Sequence, residues 1–323
     1  MEYIFNRAIP APWLLADMLA ILLSVLVVGF AIRRSRHPEM VILECLAFVF
    51  LYAGLFENFA VVNGWYVYGR SLLMFGDVPL SVPLLEMDVL ITGLWILEKM
   101  SIPVWCKPFA LGLFGMLQDL SLDPLSARQT FTVEGATSGR WTWLLDPGAA
   151  SFYDIPVYNY AGWMLIMLYG SVFLLAGREW FRRSGYKNWV GYFYPFAAML
   201  LALITMVTPL SQFLLWLFPF GTKGSSAEWI MFAFHLAIPT LLLLLLWRGK
   251  MNRRFNFSAD WPLFCVPVLF HLSDLLGIAA GGFWEVFGLA LLASAVHTGL
   301  LAWILWQSHK LPETPESAVA YSP

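Results

Sequence analysis

The chain has 323 residues, of which 60% are hydrophobic and 12% charged, with a formal net charge of −2. A soluble domain carries about 25% charged residues, so half that complement excludes a water-facing globule. The near-neutral balance also gives no electrostatic case for a nucleic-acid partner. Apolar runs of about 20 residues without period-two alternation point to an all-α, polytopic membrane bundle and not to a barrel.

In chain order, apolar windows of roughly 17–24 residues predict nine candidate spans: 12–32, 40–60, 83–100, 104–119, 159–177, 189–208, 228–247, 261–279 and 283–306. With 104–119 the shortest of them, the expectation is a bundle of about 8–9 transmembrane helices. Neither a basic n-region nor a cleavage motif precedes the first span, so no secretory signal peptide is expected. The apolar piece 211–220 is too short to cross and holds Pro219, and it reads as a re-entrant or interfacial segment. The tail 311–323, LPETPESAVAYSP, is polar and reads as disordered. The expected organisation is one transmembrane domain over 1–310, with a long loop at 120–158. Cys45, Cys106 and Cys265 fall in apolar segments at spacings that fit no disulfide framework or zinc site. They read as small buried hydrophobes.

Lys and Arg placement orients these spans. With the N-terminus outside, 14 of the 19 basic residues fall in inside loops and 5 outside. The positive-inside rule therefore predicts a multi-pass protein of the cell (plasma or inner) membrane, with an external N-terminus and a cytoplasmic C-terminus. The long loops 61–82, 120–158 and 209–227 then share the external side.

An ionisable residue within a span costs about 2.5–3.5 kcal/mol on insertion scales and is a functional candidate. The candidates are Asp17, Glu44, Glu57, Glu86, Asp88, His235, His271, Asp274, Glu285 and His297. Glu57, Asp274 and Glu285 share a membrane level with the 120–158 loop. Asp119 and Asp123 form D-x-x-x-D, which puts both carboxyls on one helix face if the span continues. Pro124 predicts that the helix ends at Asp123. The pair could bind a magnesium diphosphate, share a proton, or be a solvated helix end with an Asp–Pro turn. Trp141, Trp143 and Trp163 could line a pocket around Asp146 or form an interfacial aromatic belt. The late-span histidines match no H-E-x-x-H spacing, so interhelical hydrogen bonds, and no metal site, are expected. No glycine-rich phosphate loop or nucleophile elbow is present.

Three segments together carry a resemblance: Glu57–Tyr68 (ENFAVVNGWYVY), Asp119–Pro124 (DLSLDP), and a W-x-W followed by I-P and N-Y-x-G-W at Trp141, Trp143, Ile155, Pro156, Asn159, Tyr160, Gly162 and Trp163. They resemble the membrane carotenoid biosynthesis proteins that hydrate acyclic carotenoid ends, the carotenoid 1′,2′-hydratases and bisanhydrobacterioruberin hydratases. The match covers about residues 50–165. The chain departs from that pattern at Asp154, where the family has Gly before I-P, and at Tyr160, where Phe is usual.

The resemblance implies acid-catalysed addition of water to the terminal trisubstituted alkene of an acyclic carotenoid, giving a tertiary alcohol. No redox change occurs, so no nicotinamide or flavin cofactor is expected. The implied roles are Asp119 or Asp123 as proton donor, Glu57 or Asp146 as second carboxylate, and Trp141, Trp143 and Trp163 facing the cation. Asn159 would hold the water, with Tyr160 beside the substrate. Expected partners are an apolar carotenoid or other isoprenoid and membrane lipid, with other carotenoid enzymes as candidates. Two other readings stay open. One is a prenyltransferase or terpenoid cyclase, which would show a magnesium requirement or ring formation without water. The other is a non-enzymatic lipid or isoprenoid transporter.

Overall fold

In lipid every backbone N–H and C=O must be satisfied within its own segment, so long apolar runs become helices. A computed structural model describes residues 9–133, 136–145, 150–208 and 227–312. Within these, helices stand at all nine predicted spans. They are α1 (Ala11–Arg34), α2 (Pro38–Val62), α3 (Ser81–Lys99), α4 (Lys107–Arg128), α5 (Val157–Arg183), α6 (Asn188–Val207), α7 (Glu228–Trp247), the short α8 (Phe257–Asp260), α9 (Pro262–Gly281) and α10 (Trp284–His309). Seven of these are long and apolar enough to cross a membrane: α1, α2, α5, α6, α7, α9 and α10. The chain is thus an all-α, multi-pass membrane bundle. The predicted segment 211–220, residue Asp146 and the tail from 313 onward lie outside the described residues.

The two long helices that miss this apolarity test, α3 and α4, are its centre. In α3, 17 of 19 residues are buried, and in α4, 19 of 22. A helix walled by other helices need not present an apolar face to lipid, so it can carry Glu86, Asp88, Asp119 and Asp123. Glycines bring α4 against α5: a Cβ on Gly112 would lie 2.7 Å from the Met164 side chain and 3.0 Å from its carbonyl oxygen. Small residues of this kind let membrane helices approach closely.

Two sequence expectations need correction around α4. The helix does not stop at Asp123 but runs through Pro124 to Arg128. Packing overrides the local preference, because Leu125 is buried against Ile278, Val286 and Ala290 of α9 and α10. The expected loop 120–158 therefore starts as helix, and its remainder holds short strands.

Those strands form four two-stranded antiparallel pairs. They are β1 (Tyr66–Tyr68) with β6 (Trp141–Trp143), β2 (Met74–Phe75) with β3 (Val78–Pro79), β4 (Thr130–Val133) with β5 (Ala136–Gly139), and β7 (Ser151–Phe152) with β8 (Ile155–Pro156). Asn58 pins the β2–β3 hairpin to α2. Its amide donates to Gly54 O at 2.7 Å and Phe75 O at 2.9 Å, and its oxygen accepts from Asp77 N at 3.0 Å. Asp154 lies in the β7–β8 turn with φ 64°. That left-handed conformation favours glycine, and Asp is among the few other residues that tolerate it. The Asp154 carboxylate is held by Arg128, which also pairs with Glu285 at 3.2 Å. Glu285 thus latches α10 to the end of α4.

Asp17 is an anchor. It accepts hydrogen bonds from Ser71 Oγ and Ser81 Oγ, both at 2.6 Å, from Leu72 N at 3.0 Å and from Arg140 Nη2 at 3.1 Å. Four donors tie α1 to the loop after β1, to the start of α3 and to the strand that carries Trp141.

Candidate active site

A cavity of about 270 Å³ opens at the end of the bundle where α1 begins. Its walls come from the first turns of α1 and α3, Glu57 near the end of α2, the last turns of α4 and α9, the start of α5, and the β1–β6 pair. Pro12 and Leu15, exposed on the outer face of α1, belong to its rim, as do Ser273 and Gly277 of α9. The cavity thus reaches the outside of the bundle between α1 and α9.

Period-two geometry builds the roof. In a strand, residues two apart face the same side, so Y-x-Y and W-x-W each present two rings to one face. The register pairs Tyr66 with Trp143 and Tyr68 with Trp141. All four rings line the cavity, while Val67 and Thr142 face out. Tyr66 meets Trp143 edge-on at 4.6 Å between centroids, and Tyr68 meets Trp141 at 6.0 Å. Trp163, from the second turn of α5, completes the aromatic lining.

Carboxyls lie beneath this roof. Glu57 accepts a hydrogen bond from Tyr66 Oη at 2.6 Å and another from Tyr68 Oη. Burial, reinforced by the nearby Glu57 charge, pushes both phenols well above their ordinary range near 10. They therefore remain donors at any physiological pH. Hydrogen bonds to a charged group contribute about 1.5–3 kcal/mol each, so Tyr66→Phe is expected to lower stability by about that amount. Detergent-solubilised unfolding midpoints would measure it, and an unchanged midpoint would mean that Glu57 gains nothing from the phenol.

Asp119 and Asp123 fall on one face of α4, as the i,i+4 spacing predicts. Asn159 of α5 bridges them, its amide donating to Asp119 Oδ2 at 2.9 Å and to Asp123 Oδ2 at 2.5 Å. The two carboxyls are within hydrogen-bonding reach of each other. They are not equivalent: Asp123 lines the cavity, whereas Asp119 is fully buried one turn deeper.

The structure thus brings together Glu57, Asp119, Asp123, Trp141, Trp143, Asn159 and Trp163. It does not bring Tyr160 to the cavity wall. That ring is buried against Phe232 of α7, at 5.8 Å between centroids. Asp146 lies outside the described residues. Among the polar lining residues not assigned to the site from sequence are Tyr66, Tyr68, Ser81, Ser126, Gln129, Arg140, Ser273 and Asp274. Arg140 is the one Lys or Arg among the described lining residues, and Asp17 engages it. From sequence, Asp274 is an ionisable residue near a span end, at the membrane level of the 120–158 loop. Its place beside α4 depends on helix packing that no local pattern encodes.

Further buried ionisable groups lie elsewhere, Glu44 and Asp88 among them. Glu44 forms a two-pronged pair with Arg178 at the opposite end of the bundle. Asp88 accepts a hydrogen bond from Ser24 at 2.9 Å. Two of the three late-span histidines pair between helices as expected, with His271 Nε2 and His297 Nδ1 3.0 Å apart, whereas His235 Nδ1 lies 2.8 Å from Met231 O of its own helix. Among the described residues no group of three or more metal-ligating side chains is placed to hold an ion.

Comparison with known proteins gives a consistent family. No curated protein and no solved structure matches the chain. A family model described as "Carotenoid biosynthesis protein" matches residues 16–222, which include most of α1, all of α2 through α6 and every carboxyl and aromatic side chain of the cavity except Phe270 and Asp274. Such membership implies an isoprenoid substrate and a membrane setting. On this match, over more than half of its length, the chain belongs to the carotenoid biosynthesis protein family.

Proposed function

We propose that the protein hydrates the terminal trisubstituted alkene of an acyclic carotenoid. One observation carries this reading. A carboxyl pair bridged by one amide stands at the wall of an apolar cavity, under four aromatic rings and beside a third carboxyl. Protonation of an alkene needs an acid kept loaded, a surface that stabilises a cation, and a placed water.

The chain's residues fit these needs. Two carboxyls in contact cannot both be ionised at low cost, so the pair holds one proton between them. Asp123, which faces the cavity, delivers that proton to the less substituted alkene carbon. The π bond supplies the electron pair for the new C–H bond, and the other carbon becomes a tertiary cation. Aromatic faces stabilise a desolvated cation by about 2 kcal/mol each, and Glu57, when ionised, adds an attractive negative charge. Water adds to the cation, loses a proton to a carboxylate and leaves a tertiary alcohol.

The size and position of the cavity support a chain-end substrate. Its volume is about 270 Å³. That suits the branched end of a polyene and not its whole length, with the remainder lying in lipid beyond the rim between α1 and α9. The engagement of Arg140 by Asp17 weakens the prenyl-diphosphate reading, because a diphosphate needs free cations. With the external N-terminus predicted by the charge distribution, this end of the bundle would face outward.

Pigment mass spectrometry of cells that make lycopene, with and without this protein, tests the reading. A new, more polar pigment heavier by one water is expected. Unchanged lycopene and unchanged longer acyclic carotenoids, with the protein present in the membrane, would contradict it. An isomer of unchanged mass would point to a cyclase.

A further inference from the structure

We propose that Asp274 is a second proton-transfer group of the cavity, and that Ser121, His271 and His297 form a relay that exchanges its proton with the interior of the bundle. This rests on the hydration reading. It concerns helices α9 and α10, which lie beyond the segment matched by the family.

The geometry is a continuous chain of buried hydrogen bonds. Asp274, on the α9 wall of the cavity, accepts from Ser121 Oγ at 2.7 Å. Ser121 Oγ also lies 2.9 Å from His271 Nδ1, and His271 Nε2 lies 3.0 Å from His297 Nδ1. All four residues are 3% exposed or less. Phe114 stacks on the His297 ring at 5.4 Å and fixes its plane. The charged group facing Asp274 from the strand side is Arg140. The remaining titratable groups lining the cavity are Asp123, Glu57, Tyr66 and Tyr68.

Proton counting gives this chain its function. A serine hydroxyl has one hydrogen and can donate to one partner at a time. In one arrangement Asp274 is protonated and donates to Ser121, Ser121 donates to His271 Nδ1, and His271 Nε2–H donates to His297 Nδ1. In the other, each of these hydrogens has moved one site along. Asp274 is then ionised, His271 carries its hydrogen on Nδ1, and the positive charge rests on His297. Three short shifts interconvert the two, with no heavy atom moving and no proton gained or lost. A buried serine between a carboxyl and an imidazole is not needed to join α4 to α9, since apolar packing does that around Leu125.

The hydration cycle needs such a group. Asp123 loses its proton to carbon, and the attacking water must then lose one of its own as its oxygen bonds to the cation. Asp274, on a different wall of the same cavity, accepts that proton. The relay lets it move off the cavity wall to the histidine pair, and on its return Asp274 passes it through cavity water to Asp123, the other carboxyl on the wall, which reloads the acid for the next turnover. Over one cycle no proton is consumed beyond the two that arrive with the water.

The test uses the full-length protein in liposomes, hydrating an acyclic carotenoid in mixtures of light and heavy water. Asp274→Asn is expected to lower turnover by about 10²-fold or more, the scale of a positioned acid–base group. Ser121→Ala, which cuts the relay but leaves Asp274, is expected to lower turnover about tenfold, at the weak end of the same range. It is also expected to change a curved dependence on deuterium fraction, the mark of several moving protons, to a straight one. Ser121→Thr restores a hydroxyl and should restore the curvature. If Ser121→Ala does not fold, His297→Asn breaks the chain at its far end and is read in the same way. Wild-type turnover and wild-type curvature in these variants would overturn the relay while leaving the hydratase reading intact. A wild-type protein that hydrates nothing would overturn both.

Discussion

Asp123→Asn is expected to lower turnover about 10²–10⁴-fold, the contribution of a general acid, while the protein remains folded and membrane-inserted. The substitution is nearly isosteric. An asparagine carbonyl at this position can still accept the Asn159 amide that now lies 2.5 Å from Asp123 Oδ2, so the α4–α5 contact survives. The lost property is an acidic proton facing the cavity. Asp119→Asn gives a sharper comparison. Asp119 is fully buried and does not line the cavity, so its variant is expected to keep more residual activity than Asp123→Asn. Product quantified by mass spectrometry in matched membranes measures both. The reverse order of residual activities would place the donor at Asp119.

The second large effect is on stability and lies far from the cavity. Glu44 of α2 accepts from Arg178 Nε at 2.8 Å and Nη2 at 2.6 Å, and from Tyr194 Oη at 2.6 Å. Removing one partner of a buried ion pair leaves an uncompensated charge and costs about 3–5 kcal/mol. Arg178→Met is therefore expected to lower unfolding stability in detergent by that amount, because the Tyr194 hydroxyl cannot replace a two-pronged guanidinium. Replacing both charges, with Glu44→Met added, should recover most of the loss, since apolar replacements of buried pairs are often neutral. Protein that does fold should hydrate substrate normally, because this pair sits at the opposite end of the bundle. A single variant as stable as the wild type would mean that the Glu44–Arg178 pair contributes nothing to folding.

Much of this fold is legible in the sequence because the bilayer restricts the choices. Nine apolar windows became nine long helices, since hydrocarbon leaves no alternative for the backbone. The limits show at α3 and α4. The window at 104–119 looked short because α4 carries Gln118, Asp119, Ser121 and Asp123, residues that a lipid-facing helix would avoid. Enclosed by other helices, α4 meets no such penalty and continues to Arg128. Pro124 misled for a related reason: the boundary it predicts is a local preference, and burial of Leu125 on α9 and α10 outweighs it.

The candidate site was legible in its residue types and in one spacing. D-x-x-x-D on a helix put both carboxyls on one face, and Asn159 proved to be the group between them. Tyr66 and Trp143, 77 positions apart, meet only through strand register, and no local signal specifies that partner. The Y-x-Y and W-x-W spacings are nevertheless the period of a strand, so each segment carried its own half of the roof. Tyr160 shows the opposite case. Its place in N-Y-x-G-W suggested the cavity, but one residue along a helix turns the side chain by about 100°, and the ring faces α7. Asp274 and the histidines could not be placed from sequence, because their neighbours on α4 lie some 150 residues away.

The most direct test of the central claim is hydration by the purified protein, in liposomes loaded with an acyclic carotenoid and suspended in heavy-oxygen water. A tertiary alcohol that carries the heavy oxygen is expected from the wild-type protein, with about 10²-fold less, or lower still, from Asp123→Asn. A folded wild-type protein that yields no labelled product from any acyclic carotenoid, or one whose Asp123→Asn variant labels product at the wild-type rate, would contradict it.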